Sequence, residues 1–192
     1  MDIIYLKRRR KNPFARFKLA VRCRAVLDVI SRFRGPAAPR ILDIGSCDGK
    51  MLVYLRGRLP GAELVGIEPE PKFLESPCEP GLVRAGSAEA LPFPDGYFDF
   101  AVMSSVIEHI EDPAKGLAEA LRALKPGGVL IVISVVPFYE RLLVHLRIKK
   151  SDHYRNFSLS EAVGIIKATG FQVLESRPMP FPLFYNLTVA RR

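Results

Sequence analysis

Arg40-Ile41-Leu42-Asp43-Ile44-Gly45-Ser46-Cys47-Asp48-Gly49-Lys50-Met51-Leu52 is the stretch whose reading decides the fold. A short apolar run carries Asp43 near its end, passes through a glycine-bearing turn, and re-emerges as Met51-Leu52-Val53-Tyr54-Leu55, which can continue as a helix. Strand, turn and helix in that order open the nucleotide sites of doubly wound α/β folds. Gly45 and Gly49 carry no Cβ, so the backbone can turn tightly there and come close to a ligand. Leu64-Val65-Gly66-Ile67 forms a second apolar run ending in Glu68, 19 residues past Gly49. An acid at that interval, at the tip of the second strand, is placed to take both ribose hydroxyls of an adenosine.

The turn also discriminates between adenosine ligands. A nicotinamide dinucleotide site needs Gly-x-Gly-x-x-Gly, whose second glycine admits the pyrophosphate and whose third seats the helix. Here Cys47 holds the second position and Lys50 the third. The turn is wrong for a pyrophosphate but adequate for an adenosine carrying something smaller. At this point the chain resembles the class I S-adenosylmethionine-dependent methyltransferases, whose first motif reads Asp-x-Gly-x-Gly-x-Gly. Asp43, Gly45 and Gly49 fit that motif, and Cys47 departs from it at the middle glycine.

Two further segments carry the resemblance. Gly86-Ser87-Ala88-Glu89-Ala90-Leu91-Pro92-Phe93-Pro94-Asp95-Gly96-Tyr97-Phe98-Asp99 is similar to the Gly-Asp-Ala-Glu-x-Leu-Pro-Phe-x-Asp-x-x-Phe-Asp segment of the small-molecule branch. That branch includes ubiquinone/menaquinone and biotin-pathway methyltransferases. Its residue at position 87 is usually an Asp that bonds the adenine amine. Ser87 stands there instead, and its hydroxyl, Glu89 or the backbone of Ala88 can still meet the adenine edge. Leu124-Lys125-Pro126-Gly127-Gly128 before an apolar strand is the other mark, so the likeness covers about residues 38–136.

The implied fold is α/β: a Rossmann-like three-layer sandwich on a mostly parallel seven-stranded sheet with its last strand antiparallel, plus an N-terminal amphipathic helix. We expect strands over 41–43, 63–67, 82–84, 98–103, 129–135, 171–175 and 184–190. Helices are expected over 13–34, 49–58, 72–75, 113–124, 138–150 and 159–169. Asn12, Asp112 and Ser158 or Ser160 read as N-caps, with Pro13 and Pro113 at the first helical positions. Residues 1–36 then form a basic arm and helix, and residues 37–192 the S-adenosylmethionine-binding domain.

The resemblance implies S-adenosylmethionine as cofactor and methyl transfer as the reaction. It places Asp43, Gly45, Cys47 and Gly49 around the methionine end, Glu68 on the ribose, Ser87 and Ala88 near the adenine, and Ser104 at the carboxyl edge of the sheet. Such a transfer is an in-line displacement, in which alignment of donor and acceptor supplies on the order of 7–11 kcal/mol. A base is needed only for an acceptor that must first lose a proton. His109 and His153 are the candidates, because histidine titrates near neutrality; Glu108-His109 is also a common structural feature of the family's loop after strand 4. In the quinone O-methyltransferase branch a Glu three residues before the Glu-His pair joins a metal site. Ser105 holds that position here, so no metal is expected.

The charge balance adds a partner. Residues 1–34 hold eleven basic side chains against two acidic ones, while the remaining 158 residues carry 18 of each, so the whole net charge of +9 belongs to one end. Leu19, Cys23, Val26, Ile30 and Phe33 form one apolar stripe, and Lys18, Arg22, Asp28 and Arg32 fall largely elsewhere around the helix. That end can simply pack its stripe and solvate its charges, or lie against an anionic surface of lipid headgroups or nucleic acid phosphates. No aromatic–basic interleaving of the stacking kind favours nucleic acid. Phe181 and its neighbours in 177–183 either cover the core or form a rim for substrate or membrane.

No apolar run reaches 18 residues, and the N-terminal order of apolar then basic residues does not suit a signal peptide. Three cysteines without a Cys-x-x-Cys spacing indicate neither a zinc site nor a disulfide framework, which points to a reducing cytoplasm. The leading reading is a cytoplasmic, peripherally membrane-associated methyltransferase on a small or lipid-linked acceptor. A nucleic acid acceptor and a non-catalytic binding module on the same fold are the alternatives.

Overall fold

The structure is a computed structural model, and it describes residues 12–33, 37–75, 77–138, 155–180 and 184–192. The basic arm, most of the expected helix over 138–150, His153 and residues 181–183 lie outside the described residues.

The elements run α1 (Pro13–Arg32), β1 (Arg40–Ile44), α2 (Lys50–Arg56), β2 (Glu63–Glu68), α3 (Pro71–Leu74), β3 (Val83–Ala85), β4 (Phe98–Ser104), a 3-10 turn (Ile107–His109), α4 (Pro113–Ala123), β5 (Leu124–Val135), α5 (Leu159–Ala168), β6 (Gln172–Pro178) and β7 (Tyr185–Arg191). The seven strands form one sheet in the order β3-β2-β1-β4-β5-β7-β6. Strand β7 is antiparallel to both its neighbours, and the other pairings are parallel.

Parallel strands covered on both faces must be apolar on both, and these are. On β1, β4 and β5, Leu42, Ile44, Ala101, Met103, Leu130 and Val132 enter one core cluster with the inner faces of α4 and α5. Their alternates Ile41, Phe100, Val102, Val129, Ile131 and Ile133 enter a second cluster with α1 and α2. The helices start where short polar side chains satisfy their first N–H groups. Ala15 N donates to Asn12 Oδ1 and Lys115 N to Asp112 Oδ1, both at 3.1 Å. Ser158 and Glu161 form a reciprocal capping box at α5.

Strand β5 begins five residues earlier than its expected start at Val129. Leu124 already pairs with Phe98, the next pair is Val129 with Phe100, and Lys125–Gly128 bulge out between them. Gly127 takes φ +79° in that bulge and its N–H donates to the Arg192 carbonyl. Met179, expected in an apolar linker, is buried beside Tyr185 and Leu187, so that end of the linker covers the core.

The strand order reverses beside β1, where β2 lies on one side and β4 on the other. Open α/β sheets carry their ligand crevice at the carboxyl tips at such a point.

Candidate active site

Four strand tips stand in a row above the sheet. Register pairs Glu68 with Ala85, Ile67 with Ile44, and Ile44 with Met103, so Gly86, Glu68, Gly45 and Ser104 follow one another across β3, β2, β1 and β4. Of the ten side chains singled out above, nine lie in described residues. Asp43, Gly45, Cys47, Gly49, Glu68, Ser87, Ala88 and Ser104 are on or next to these tips, and His109 closes the 3-10 turn after β4, half-buried. His153 lies outside the described residues.

The turn from β1 to α2 is left-handed at three places, with φ +72° at Gly45, +54° at Cys47 and +79° at Gly49. Gly45 has two reasons to be glycine. Beyond its φ, an added Cβ would come within 2.4 Å of Val106 Cγ2. Cys47 holds a left-handed conformation that a glycine would take without strain, at a cost of about 1–2 kcal/mol for a residue with a Cβ. Its departure from the motif therefore leaves the backbone path intact.

That path points Cys47 N–H at Glu68. The N–H donates to Oε2 at 2.8 Å, and Glu70 N–H donates to Oε1 at 3.1 Å. Burial pushes the Glu68 carboxyl up from its ordinary value, while these two N–H bonds pull it back. A carboxylate has about four acceptor positions, so two remain for hydroxyls of a ligand. Gly86 N–H donates to the Glu68 carbonyl at 3.2 Å, which holds the Gly86–Ala88 segment beside the acid. Ser87 is exposed, its Oγ accepts from Glu89 N–H at 3.1 Å, and Ala88 packs against the core. Glu89 Oε1 accepts from Asp112 N–H at 2.9 Å, so this acid fastens the start of α4 to the loop.

Asp43 lies under the turn, 3% exposed. Burial pushes its carboxyl up to about 7; the nearby Ser46 hydroxyl and the Arg22 guanidinium pull it down, and Glu68 pushes it up. The Ser46 hydroxyl, although close, completes no hydrogen bond of acceptable geometry, so its relief of Asp43 is small.

Arg22 corrects the sequence reading, which put it off the apolar stripe. It is 6% exposed, and Nη1 donates to Ser105 Oγ at 2.9 Å and to Ser104 Oγ at 3.3 Å. Its guanidinium also lies 5.1 Å from the centre of the Tyr185 ring. The signal was there: Arg22, Val26, Val29 and Phe33 make a second row along α1, and a cation heading an otherwise apolar row is turned inward with it. Ser105 takes φ +58°, a conformation an L residue holds at some cost, and it meets Arg22 from there.

A second missed feature fastens the loop between β3 and β4. Arg122 on α4 forks onto Glu119 at 2.8 and 2.9 Å and donates to the Leu91 and Phe93 carbonyls and to Asp95. Leu91 N–H donates back to Glu119 Oε2 at 2.8 Å. The fork holds the Glu119 carboxyl below its usual range.

The residues fit an adenosine with an amino-acid tail. Glu68 has acceptor capacity unspent, Gly45 leaves room that a Cβ would fill, and Arg22 Nε is buried without a hydrogen-bond partner among the described residues. No cluster of His, Cys, Asp and Glu suited to a metal occurs among the described residues. No helix among them is long and apolar enough to cross a membrane.

Comparison with known proteins agrees with this geometry. The methyltransferase domain family matches residues 42–132. A demethylmenaquinone methyltransferase of Thermus thermophilus is 36% identical over 108 residues, covering 53% of this chain and 49% of that protein. An uncharacterized methyltransferase of Bacillus subtilis is 26% identical over 168 residues, covering 81% of this chain and 66% of its own. The crystal structure of a Thermotoga maritima S-adenosylmethionine-dependent methyltransferase, described as a possible histamine N-methyltransferase, superposes with a TM-score of 0.65 at 28% identity, covering 80% of this chain and 82% of that one. The chain spans about half the length of the first curated relatives it matches, or less. With motif order, sheet topology and these similarities in agreement, residues 42–132 form a methyltransferase domain similar to those of the class I S-adenosylmethionine-dependent methyltransferases.

Proposed function

We propose that this protein transfers the methyl group of S-adenosylmethionine to a small-molecule or lipid-linked acceptor, working at a membrane surface. The observation that carries the donor half is Glu68, a buried acid steadied by two backbone N–H groups at the tip of β2. Its remaining acceptor capacity suits the two ribose hydroxyls. The turn from Asp43 through Cys47 to Gly49 receives the methionine end, Ser87 and Ala88 meet the adenine, and Ser104 borders the reacting centre. When bound, S-adenosylmethionine supplies an electrophilic methyl group. The chain's own part is to hold that donor in line and to exclude water. For an acceptor that must lose a proton, His109 or His153 takes it.

The name of the Thermus relative supports a small, quinone-like acceptor. The surface reading rests on the charge segregated into residues 1–34 and on α1, which exposes Phe14 and Phe17 with Lys18 Nζ 5.1 Å from the Phe14 ring centre. Exposed aromatics beside cations suit the headgroup region of an anionic bilayer.

Calorimetric titration with S-adenosylmethionine, S-adenosylhomocysteine and NAD tests the donor half. Glu68→Ala should lose about 1.5–3 kcal/mol of binding, roughly 10- to 150-fold in Kd. Binding of NAD without any response to the sulfur compounds refutes the assignment. In vesicle sedimentation the chain should prefer anionic over neutral lipid, and equal partitioning refutes the surface reading.

A further inference from the structure

The first half of α1 carries apolar side chains that the fold leaves uncovered. Burial along α1 begins only at Arg22, and Phe17 before it is 50% exposed. On α2, Met51, Leu52 and Leu55 are buried, which leaves Val53 37% exposed and Tyr54 half-buried. Phe17, Val53 and Tyr54 all line one groove between the two helices, a cavity of about 980 Å³ that Pro77 and Cys78 also border. That volume is at the upper end of the roughly 300–1,000 Å³ typical of ligand sites. Cys23 lines it from the core side, and burial pushes its thiol up to about 12, so it stays neutral and acts as a small hydrophobe. The α1 wall is firm at its start, where Ala15 N–H donates to Asn12 Oδ1 at 3.1 Å. Two cations, Arg16 and Lys50, line the same groove, and no acid does. Arg16 is exposed, and Lys50 Nζ lies 3.3 Å from Asp48 Oδ2. None of the donor-site side chains named above borders this groove, so it is a second place for a ligand.

We propose that the groove between α1 and α2 takes up one acyl chain of an anionic membrane lipid, with Arg16 and Lys50 meeting the lipid's phosphate. This lipid site rests on the membrane-surface reading above and names the element that engages the surface. Charge complementarity selects the occupant. A second copy of this chain carries the same net charge of +9 and gains nothing from two more cations. A neutral apolar molecule leaves both cations unanswered. An anionic phospholipid supplies at once a chain for the apolar lining and a phosphate for a guanidinium and an ammonium. Lys7, Arg8, Arg9, Arg10 and Lys11 stand in sequence just ahead of Pro13, which borders the groove, so the neighbouring charge also favours anionic headgroups. The chain itself is already in apolar surroundings within a bilayer. What it adds is cover, because its entry takes Phe17 and Val53 out of water.

The test is calorimetric titration of the full chain with monomeric lysophosphatidylglycerols bearing octanoyl, decanoyl and dodecanoyl chains, and with the matching lysophosphatidylcholines. The wild type should bind one lipid per chain, about 4-fold more tightly for each methylene added, and should favour the phosphoglycerol head. Arg16→Gln should weaken the head preference and keep the dependence on chain length. Ala20→Gln combined with Val53→Gln, at two exposed positions that line the groove, should weaken the dodecanoyl lipid by about 10-fold or more. The same double variant should sediment less on phosphatidylglycerol vesicles, and an unchanged unfolding midpoint without lipid shows that it is folded. Binding of many lipids without saturation, or a double variant that binds like the wild type, overturns the groove while a preference for anionic vesicles keeps the surface reading. If the double variant loses the lysolipid yet sediments as the wild type does, the ligand is a free amphiphile and the membrane lipid is refuted. If the lysolipid binds only after residues 1–11 are removed, the chain's own N-terminal end fills the groove and the proposal falls. Equal sedimentation of the wild type on neutral and anionic vesicles sinks both readings.

Discussion

Replacing Asp43 with asparagine tests the electrostatics under the turn, because it removes a charge while keeping the side chain's shape. The Asp43 carboxyl is pushed from 3.8 to about 7, chiefly by burial. Between those two pH values the native protein holds a proton that the unfolded chain has released, so stability falls as pH rises through the window. The loss is complete above about pH 7. At 1.36 kcal/mol per pH unit over about three units it amounts to about 4 kcal/mol. Asp43 is only 3% exposed, so solvent screening removes little of this. The Asp43→Asn variant has nothing to titrate at this position. Urea unfolding of both proteins at half-unit steps from about pH 5 to 8 should give a difference, variant minus wild type, that grows with pH by about 3 kcal/mol, the part of the window lying above pH 5. The attraction of Arg22 for the ionised carboxylate is already contained in that upward shift and adds no separate offset. Parallel curves would refute the reasoning. A difference that shrinks as pH rises would show that Arg22 holds Asp43 ionised and that attraction outweighs burial.

The turn itself supplies two more tests. Gly45→Ala should destabilise by about 3 kcal/mol or more in chemical denaturation, since it adds a left-handed penalty to a Cβ 2.4 Å from Val106; Val106→Ala in the same chain should recover only the steric part. Cys47→Gly should raise stability by up to about 1 kcal/mol, because relief at φ +54° slightly exceeds the entropy a glycine loses, and a drop of about 1 kcal/mol or more would show that the Cys47 side chain contributes packing.

The sheet was legible because its central strands are apolar on both faces and are separated by glycine and proline. Leu42-Asp43-Ile44 and Val129 to Val135 could be nothing but covered strands. The early start of β5 was not legible. Lys-Pro-Gly-Gly has the composition of a turn, and only the pairing of Leu124 with Phe98 makes it a bulge within a strand. At position 47 the sequence showed a departure in side chain, whereas the site depends there on a backbone angle and an N–H, both of which Cys47 provides. The position of Glu68 at the tip of β2 was legible because its interval from the turn is local to the motif. Arg22 was not, since its partners Ser104 and Ser105 lie 82 and 83 residues away and the helix offered two overlapping rows to choose between.

That difference in range separates the two walls of the crevice. The wall that follows Gly86 is assembled from one continuous stretch, in which Arg122 and Glu119 staple the loop at Leu91, Phe93 and Asp95 onto α4 and Glu89 holds the start of that helix. These bonds are local in sequence and fix the wall whether or not anything distant is in place. The other wall depends on α1, which reaches the tip of β4 through Arg22 and otherwise holds on by its apolar rows over the second core cluster. The α/β body thus carries Glu68 and the loop that follows Gly86, and a helix ahead of that body brings Arg22 to the tip of β4. The same helix leaves Phe14 and Phe17 exposed near its start. Whatever touches those aromatics bears directly on the helix that carries Arg22 to Ser104 and Ser105, rather than on the loop that Arg122 fastens.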